Sequence, residues 1–358
     1  MESTIIELKK KVSKICEYLC SWKEIQSDIF SSQAEQRGQI PESLQKILRN
    51  PDKKIFDYKL AILILYGAFE NYVESIISQY ILKLNMSVDS FLKLPTQIQS
   101  RHTELSAKLI SFICAGYTKY EQLDNADIIR HLYSCYATPQ NYQLNVNAFT
   151  QHSSNLRIST VRELFAGIGI SAIDTSISKN ADFIDYLQKK DPEFHIILES
   201  QNNALCCEKC FQLLDDLIER RNDIAHGVDD ADDNILSTDV LLEYADYVVA
   251  LSNAIYSIVL SKYVETTISS QGKNVFCLGK PIQTFNNSIV CFNNNRIKIS
   301  IGDIIAGMNT CEKFRVGHIE SLQINGKSVD CISPEISVDF GAKVSFHASN
   351  QYSYYIVK

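Results

Sequence analysis

Two side-chain periodicities that belong to different kinds of structure meet at the segment SSQGKN, Ser269–Asn274. Before it, apolar residues recur at three- and four-residue spacing, the period of a half-buried helix. STIIELKKKVSKICEYLCSW carries Ile6, Val12, Ile15, Leu19 and Trp22 near that spacing. FDYKLAILILYGAFENYVESIISQYILKL predicts one long helix, apolar around much of its circumference at first. It becomes amphipathic afterwards, with Phe69, Val73, Ile76, Ile77 and Tyr80 on one side. SAKLISFICAGY, NADIIRHLYSCY, STVRELFAGIG, ALCCEKCFQLLDDLIERRNDIAHG and TDVLLEYADYVVALSNAIYSIVLSKYVETTI predict further helices, and TPQNYQLNVNAFTQHSSN reads as a polar connector. After Gly272 the runs are short, β-branched and aromatic: VFCL, SIVCF, RIKISI, FRVGHIESLQI, ISVDF, KVSFHA and YSYYIV. Turn signals such as Asn325-Gly326 separate them, which predicts about six strands in a small barrel or sandwich. The expected fold is mainly α: a helical bundle domain over residues 1–268, then a small all-β barrel domain over 272–358. Each domain is expected to have its own core.

The chain of 358 residues is long enough for two such cores. Its eleven cysteines are scattered, and no apolar stretch follows Met1-Glu2-Ser3. That pattern predicts reduced thiols and a cytoplasmic protein. The longest apolar run, LAILILYGAF from Leu60 to Phe69, is about half of what a spanning helix needs, so it predicts a buried core helix and no membrane partner. The net charge of −7 is uneven: from Gly272 onward nine Lys and Arg face six Asp and Glu, leaving the excess of acid in the helical part. Such a balance argues against tight, non-specific nucleic-acid binding by the helical part and leaves room for a small local site.

One stretch concentrates chemistry. RRNDIAHGV, residues 220–228, closes the helix predicted over 204–227. At about 100° per residue, Leu214, Leu217, Ile218, Ile224 and Ala225 form one apolar stripe with Arg221 in its middle. A guanidinium there requires a carboxylate, a phosphate or a partner chain to meet it. Asn222 and His226 lie four residues apart and are neighbours at the stripe's edge. Arg221 and His226 are rotated roughly 140° from each other, so they converge poorly on one straight helix. Two copies about a twofold axis would bring both to one cleft. The plain structural alternative is a helix terminus with His near the dipole, Gly227 just past the end, and Arg221 paired with a buried carboxylate such as Glu70.

Arg221-Asn222-x-x-x-His226 resembles the R-x(4–6)-H motif of the HEPN superfamily of helical ribonucleases. The likeness extends to LILYGAFENYVESII, similar to an early HEPN helix with its aromatic-acidic step. It also reaches HSSNLRISTVRELFAGIGI, similar to the Asn-then-helix segment of the RiboL-PSP type. Together these cover roughly residues 1–265. The resemblance implies a HEPN-like bundle and a metal-independent endoribonuclease with no cofactor and no metal site. In such enzymes the ribose 2′-OH attacks the adjacent phosphate, leaving 2′,3′-cyclic phosphate and 5′-OH ends. His226 would be general base or acid, since a histidine titrates near neutral pH. Arg221 would stabilise the phosphorane's added negative charge. Asn222 would orient the histidine or a phosphate oxygen. The implied partners are RNA and a second copy of the chain, and the implied role is that of a bacterial toxin or antiphage effector. The alternative is a non-catalytic module of the same fold that binds RNA or protein. Asp229, Asp230, Asp232 and Asp233 follow the motif and would repel a phosphate backbone. They predict a solvated loop, or a contact for a basic partner that silences the site.

Other signals carry less. Cys206-Cys207-x-x-Cys210 has no matching second pair and reads as buried thiols, as do Cys16 and Cys20. GIGISA follows a helix where a dinucleotide loop would follow a strand. DDADD lacks the spacing of a calcium loop. His102, His131, His152 and His195 show no partner set. In the β part, RIKISIGDIIAGMN, FRVGHIESLQINGKSVD and FGAKVSF are similar to the second, β-barrel domain of translation GTPases. Lys273, Lys280, Arg296, Lys298, Lys313 and Arg315, interleaved with Phe292 and Phe314, are candidates for a shallow RNA-facing surface, and an ordinary solvated barrel face is the other reading.

Overall fold

The computed structural model describes residues 1–30, 46–47, 50–199, 203–227, 234–293, 297–309, 314–333 and 338–358. Among them are ten α-helices: α1 (Glu2–Phe30), α2 (Pro51–Ser87), α3 (Thr96–Cys114), α4 (Asn125–Ala137), α5 (Ile158–Gly167), α6 (Ile173–Ile177), α7 (Ala181–Lys190), α8 (Phe194–Glu199), α9 (Asn203–His226) and α10 (Thr238–Ser269). Strands follow from Val275 onward. The mainly helical chain with a small β part at its C-terminal end is therefore the observed fold. The chain forms two compact units, one of Met1–Gln79 with Phe149–Ile258 and one of Tyr80–Ala148 with Val259–Lys358.

In the first unit, α1 buries Ile5, Leu8, Val12, Ile15 and Leu19, an unbroken alternation of three- and four-residue steps. Ile6, expected on that stripe, is exposed, because it sits one position, about 100°, off the alternation. On α2, Phe69, Val73, Ile76 and Ile77 are fully buried as their spacing predicts. Phe56, Leu60 and Leu63 on the same helix face outward. Tyrosines bring apolar bulk to this core and satisfy its carbonyls. The Tyr72 hydroxyl donates to Ser252 O at 2.8 Å and that of Tyr247 to Cys210 O at 2.9 Å. Cys206 and Cys210 are buried free thiols, and burial raises the pKa of Cys210. By length and composition, Asp52–Ser87 and Thr238–Ser269 are apolar enough to cross a membrane; 56% of each apolar window lies buried in the fold, as in core helices.

In the second unit the polar connector is an ordered hub. Asn145 N donates to His102 Nε2 at 2.8 Å, and Asn145 Nδ2 donates to Ser106 Oγ and Ile128 O, both at 3.0 Å. Burial pushes His102 down to about 4, with neighbouring His131 acting in the same direction. The β part is an antiparallel half-barrel. Its main sheet runs β1 (Val275–Gly279), β10 (Ser353–Val357), β5 (Ile304–Met308), β6 (Phe314–Ile324), β9 (Phe340–Val344), β3 (Ile289–Phe292) and β2 (Gln283–Phe285). β7 (Lys327–Val329) pairs with β6, while β4 (Ile299–Ser300) and β8 (Cys331–Ile332) pair with each other. Strands thus exceed the expected number, and β5 lies inside the sheet although no run predicted it. Phe292 is not part of an RNA-facing surface: it is buried, with its ring 5.7 Å from Phe340 and 5.5 Å from Tyr354. Arg296 and Lys313, expected on that surface, lie outside the described residues.

Candidate functional site

α9 stops where its sequence places a stop. His226 is its last residue, and Gly227 takes φ +66°, the left-handed conformation that a residue without Cβ adopts without strain. The core face of the helix consists of Cys210, Phe211, Leu214, Leu217 and Ile218, all buried. The predicted stripe does not extend to the end, since Ile224 is half-buried and Ala225 exposed. Arg221, expected at the centre of a buried stripe, therefore stands at the margin of the core and is half-buried.

Asp215, Asp216 and Glu219 on α9 are engaged by other cations. Asp216 accepts from Arg220 Nε at 2.6 Å and from the Tyr244 hydroxyl. Arg220 Nη1 also donates to Tyr58 Oη at 3.2 Å and Asn234 O at 3.0 Å. Burial alone would ease deprotonation of Arg220, but Tyr58 and Asp216 outweigh it and raise the pKa. Arg157, just before α5, reaches Asp215 at 3.2 Å and Glu219 at 3.5 Å.

Arg221 is held differently. Its guanidinium carbon lies 5.1 Å from the centre of the Tyr66 ring, within cation–π range. Nη1 donates to Asn222 Oδ1 at 3.2 Å. Among the described residues no carboxylate lies within ion-pair distance of it, so the pairing with Glu70 envisaged from sequence is absent. Glu70 Oε1 instead accepts from the Tyr66 hydroxyl at 3.0 Å. Burial pushes that hydroxyl up to about 12; the Leu156 N–H and Arg221 oppose the rise and Glu70 adds to it.

Asn222 Oδ1 also accepts from Asn155 Nδ2 at 2.7 Å, and Asn155 Oδ1 lies 3.3 Å from Tyr66 Oη. Tyr66, Asn155, Asn222 and Arg221 thus form one neutral-to-cationic network joining α2, the segment before α5, and α9. His226 stands apart from it. It is exposed, and among the described residues no hydrogen bond reaches its ring. The structure therefore joins Arg221 to Asn222 and leaves His226 one turn further on at the helix end. The acidic loop of Asp229, Asp230, Asp232 and Asp233 lies outside the described residues.

Sequence reasoning gave no role to Tyr66. Asn155 closes the polar connector and is the Asn of the Asn-then-helix segment that carries part of the family resemblance, but nothing in the sequence assigned it a partner or a role. The other histidines have partners after all. His152 Nε2 lies 2.8 Å from Glu74 Oε1, His131 Nδ1 2.8 Å from Asn145 Oδ1, and His195 Nε2 3.0 Å from Glu199 Oε1.

A cation with a stacked ring behind it, an amide beside it and, among the described residues, no fixed counter-ion is suited to an anionic group that comes and goes. The family described as RiboL-PSP-HEPN matches over residues 36–261, well over half of the chain. No curated protein and no solved structure matches.

Proposed function

Because the chain belongs to the RiboL-PSP-HEPN family, whose membership points to an RNA-related, nuclease-like function, we propose that it is a metal-independent endoribonuclease. Arg221, Asn222 and His226 form its site. The observation that carries this reading is the contrast between two adjacent arginines. Arg220 is locked to Asp216 at 2.6 Å, whereas Arg221 meets, among the described residues, a ring and an amide and no carboxylate. In the proposed reaction His226 takes the proton of a ribose 2′-OH as that oxygen attacks the neighbouring phosphorus. The 5′-oxygen leaves with the proton that His226 gives back, so the products are a 2′,3′-cyclic phosphate and a 5′-OH and the histidine is neutral again. Arg221 opposes the charge that builds on the non-bridging oxygens, and Asn222 supplies a further donor.

His226 lies roughly 140° around the helix from Arg221. For that reason the proposed active form is a homodimer in which the motif helices of two copies flank one RNA strand. The cell biology proposed is that of a cytoplasmic toxin or antiphage effector restrained by a neutralising protein.

A second reading draws on the separation of His226 from the Arg221–Asn222 network. There the chain docks an RNA phosphate without cutting it. Incubation of the purified chain with total RNA in EDTA decides between them. The expected result is fragments ending in 2′,3′-cyclic phosphate and 5′-OH. Loss of cleavage under EDTA, or 5′-phosphate ends, overturns the mechanism, and RNA bound intact supports the second reading.

A further inference from the structure

We propose that Asn155 is a positioning residue that turns the Asn222 carboxamide so that its nitrogen, not its oxygen, faces the RNA phosphate. The inference rests on the reading of Arg221 and Asn222 as a phosphate site.

A carbonyl oxygen offers two lone pairs. On Asn222 Oδ1 both are taken, one by Asn155 Nδ2 at 2.7 Å and one by Arg221 Nη1 at 3.2 Å. The group left over is Asn222 Nδ2, with two hydrogens to donate. Beside the guanidinium it makes a second donor of the sense that a phosphodiester's non-bridging oxygens require. The opposite orientation would set the amide nitrogen against two other N–H donors and present an oxygen to an anion. The difference between the two is therefore the difference between attracting and repelling substrate.

Asn155 is itself held firmly. Its backbone carbonyl accepts from Arg157 N at 2.8 Å, and Arg157 ties the segment to Asp215 and Glu219 of α9. Between them Leu156 is fully buried, and its N–H donates to Tyr66 Oη at 3.3 Å. The Tyr66 proton is shared between Glu70 Oε1 at 3.0 Å and Asn155 Oδ1 at 3.3 Å, which keeps the Asn155 oxygen on the Tyr66 side and its nitrogen toward Asn222. A buried backbone anchor, a surface ion pair and a tyrosine hydroxyl thus converge on the orientation of one amide.

A double-mutant cycle in the full-length protein tests this. RNA cleavage is measured for the unaltered chain, Asn155→Ala, Asn222→Ala and the double variant, with folding checked by circular dichroism. If Asn155 acts through Asn222, Asn155→Ala slows cleavage about tenfold on its own but less than about twofold when Asn222 is already alanine. A purely structural role predicts the same fold-loss in both backgrounds, and that result overturns the proposal. Should Asn155→Ala not fold, Asn155→Ser carries the same cycle, since its hydroxyl is too short to bridge to Asn222. Absence of cleavage by the unaltered chain overturns the proposal together with the reading beneath it, whereas cleavage by the unaltered chain with additive losses overturns the proposal alone.

Discussion

Arg220 and Arg221 are adjacent in the chain and opposite in circumstance. About 100° of helical rotation separates them. Arg220 is turned into a cage of Asp216, Tyr58 and the Asn234 carbonyl, with its side chain 16% exposed. Arg221 is turned toward the Tyr66 ring and the Asn222 amide, and among the described residues no carboxylate neutralises it. A closed ion pair of the first kind fixes structure, because removing either member strands the other. A cation of the second kind keeps its charge available. Two identical side chains one residue apart thus separate into a closed ion pair and a proposed phosphate contact through what each faces.

The largest effect expected is on chemistry. His226→Ala and Arg221→Ala each lower RNA cleavage by about 100-fold or more, the range of a lost general acid–base or electrostatic partner. His226→Ala leaves the denaturation midpoint near that of the unaltered chain, because the ring is exposed. Next comes Arg220→Ala, which is expected to destabilise the protein by about 1–2 kcal/mol in urea denaturation. That is less than a fully buried pair would lose, because Asp216 keeps contact with solvent. Its cleavage rate per folded molecule stays within about twofold of normal. Arg221→Lys sharpens the contrast further: an ammonium retains the charge but not the planar stacking and fork, so cleavage falls by about tenfold. The smallest effect belongs to Tyr66→Phe. In the native protein the Tyr66 hydroxyl stays protonated up to about 12, whereas in the unfolded chain it ionises near its ordinary value of 10.0. Its contribution to stability is complete below that lower value and is lost as pH rises toward the higher one. Tyr66→Phe is expected to flatten this alkaline loss of stability, measured by denaturation at stepped pH.

Much of this was legible in the residues. The periodicity of α9 and Gly227 gave its extent and its end, and the alternation along α2 gave its buried face. What escaped has physical reasons. α6 and α8 span less than two turns each, too short for a repeating apolar period to register. β5 is apolar without alternation, as its burial on successive residues requires, so a period of two could not reveal it. Ile6 and Ile5 differ by one position, and only packing decides which turns inward. The network around Arg221 joins Tyr66 to Asn155 across 89 residues and Asn155 to Asn222 across 67, separations at which no local pattern operates. For the same reason Arg221 could be placed near an apolar stripe from sequence, while its ring and amide partners could not be read there.

Binding of an RNA whose riboses are 2′-O-methylated, and which therefore offers phosphate without a nucleophile, tests the difference between the two arginines most directly. Titrated against the unaltered chain, Arg220→Ala and Arg221→Ala at a temperature where all three are folded, it is expected to lose about tenfold in affinity on removal of Arg221 and less than about twofold on removal of Arg220. Equal affinity for the unaltered chain and Arg221→Ala would contradict the account, because the Arg221 guanidinium would then not be where the phosphate is held.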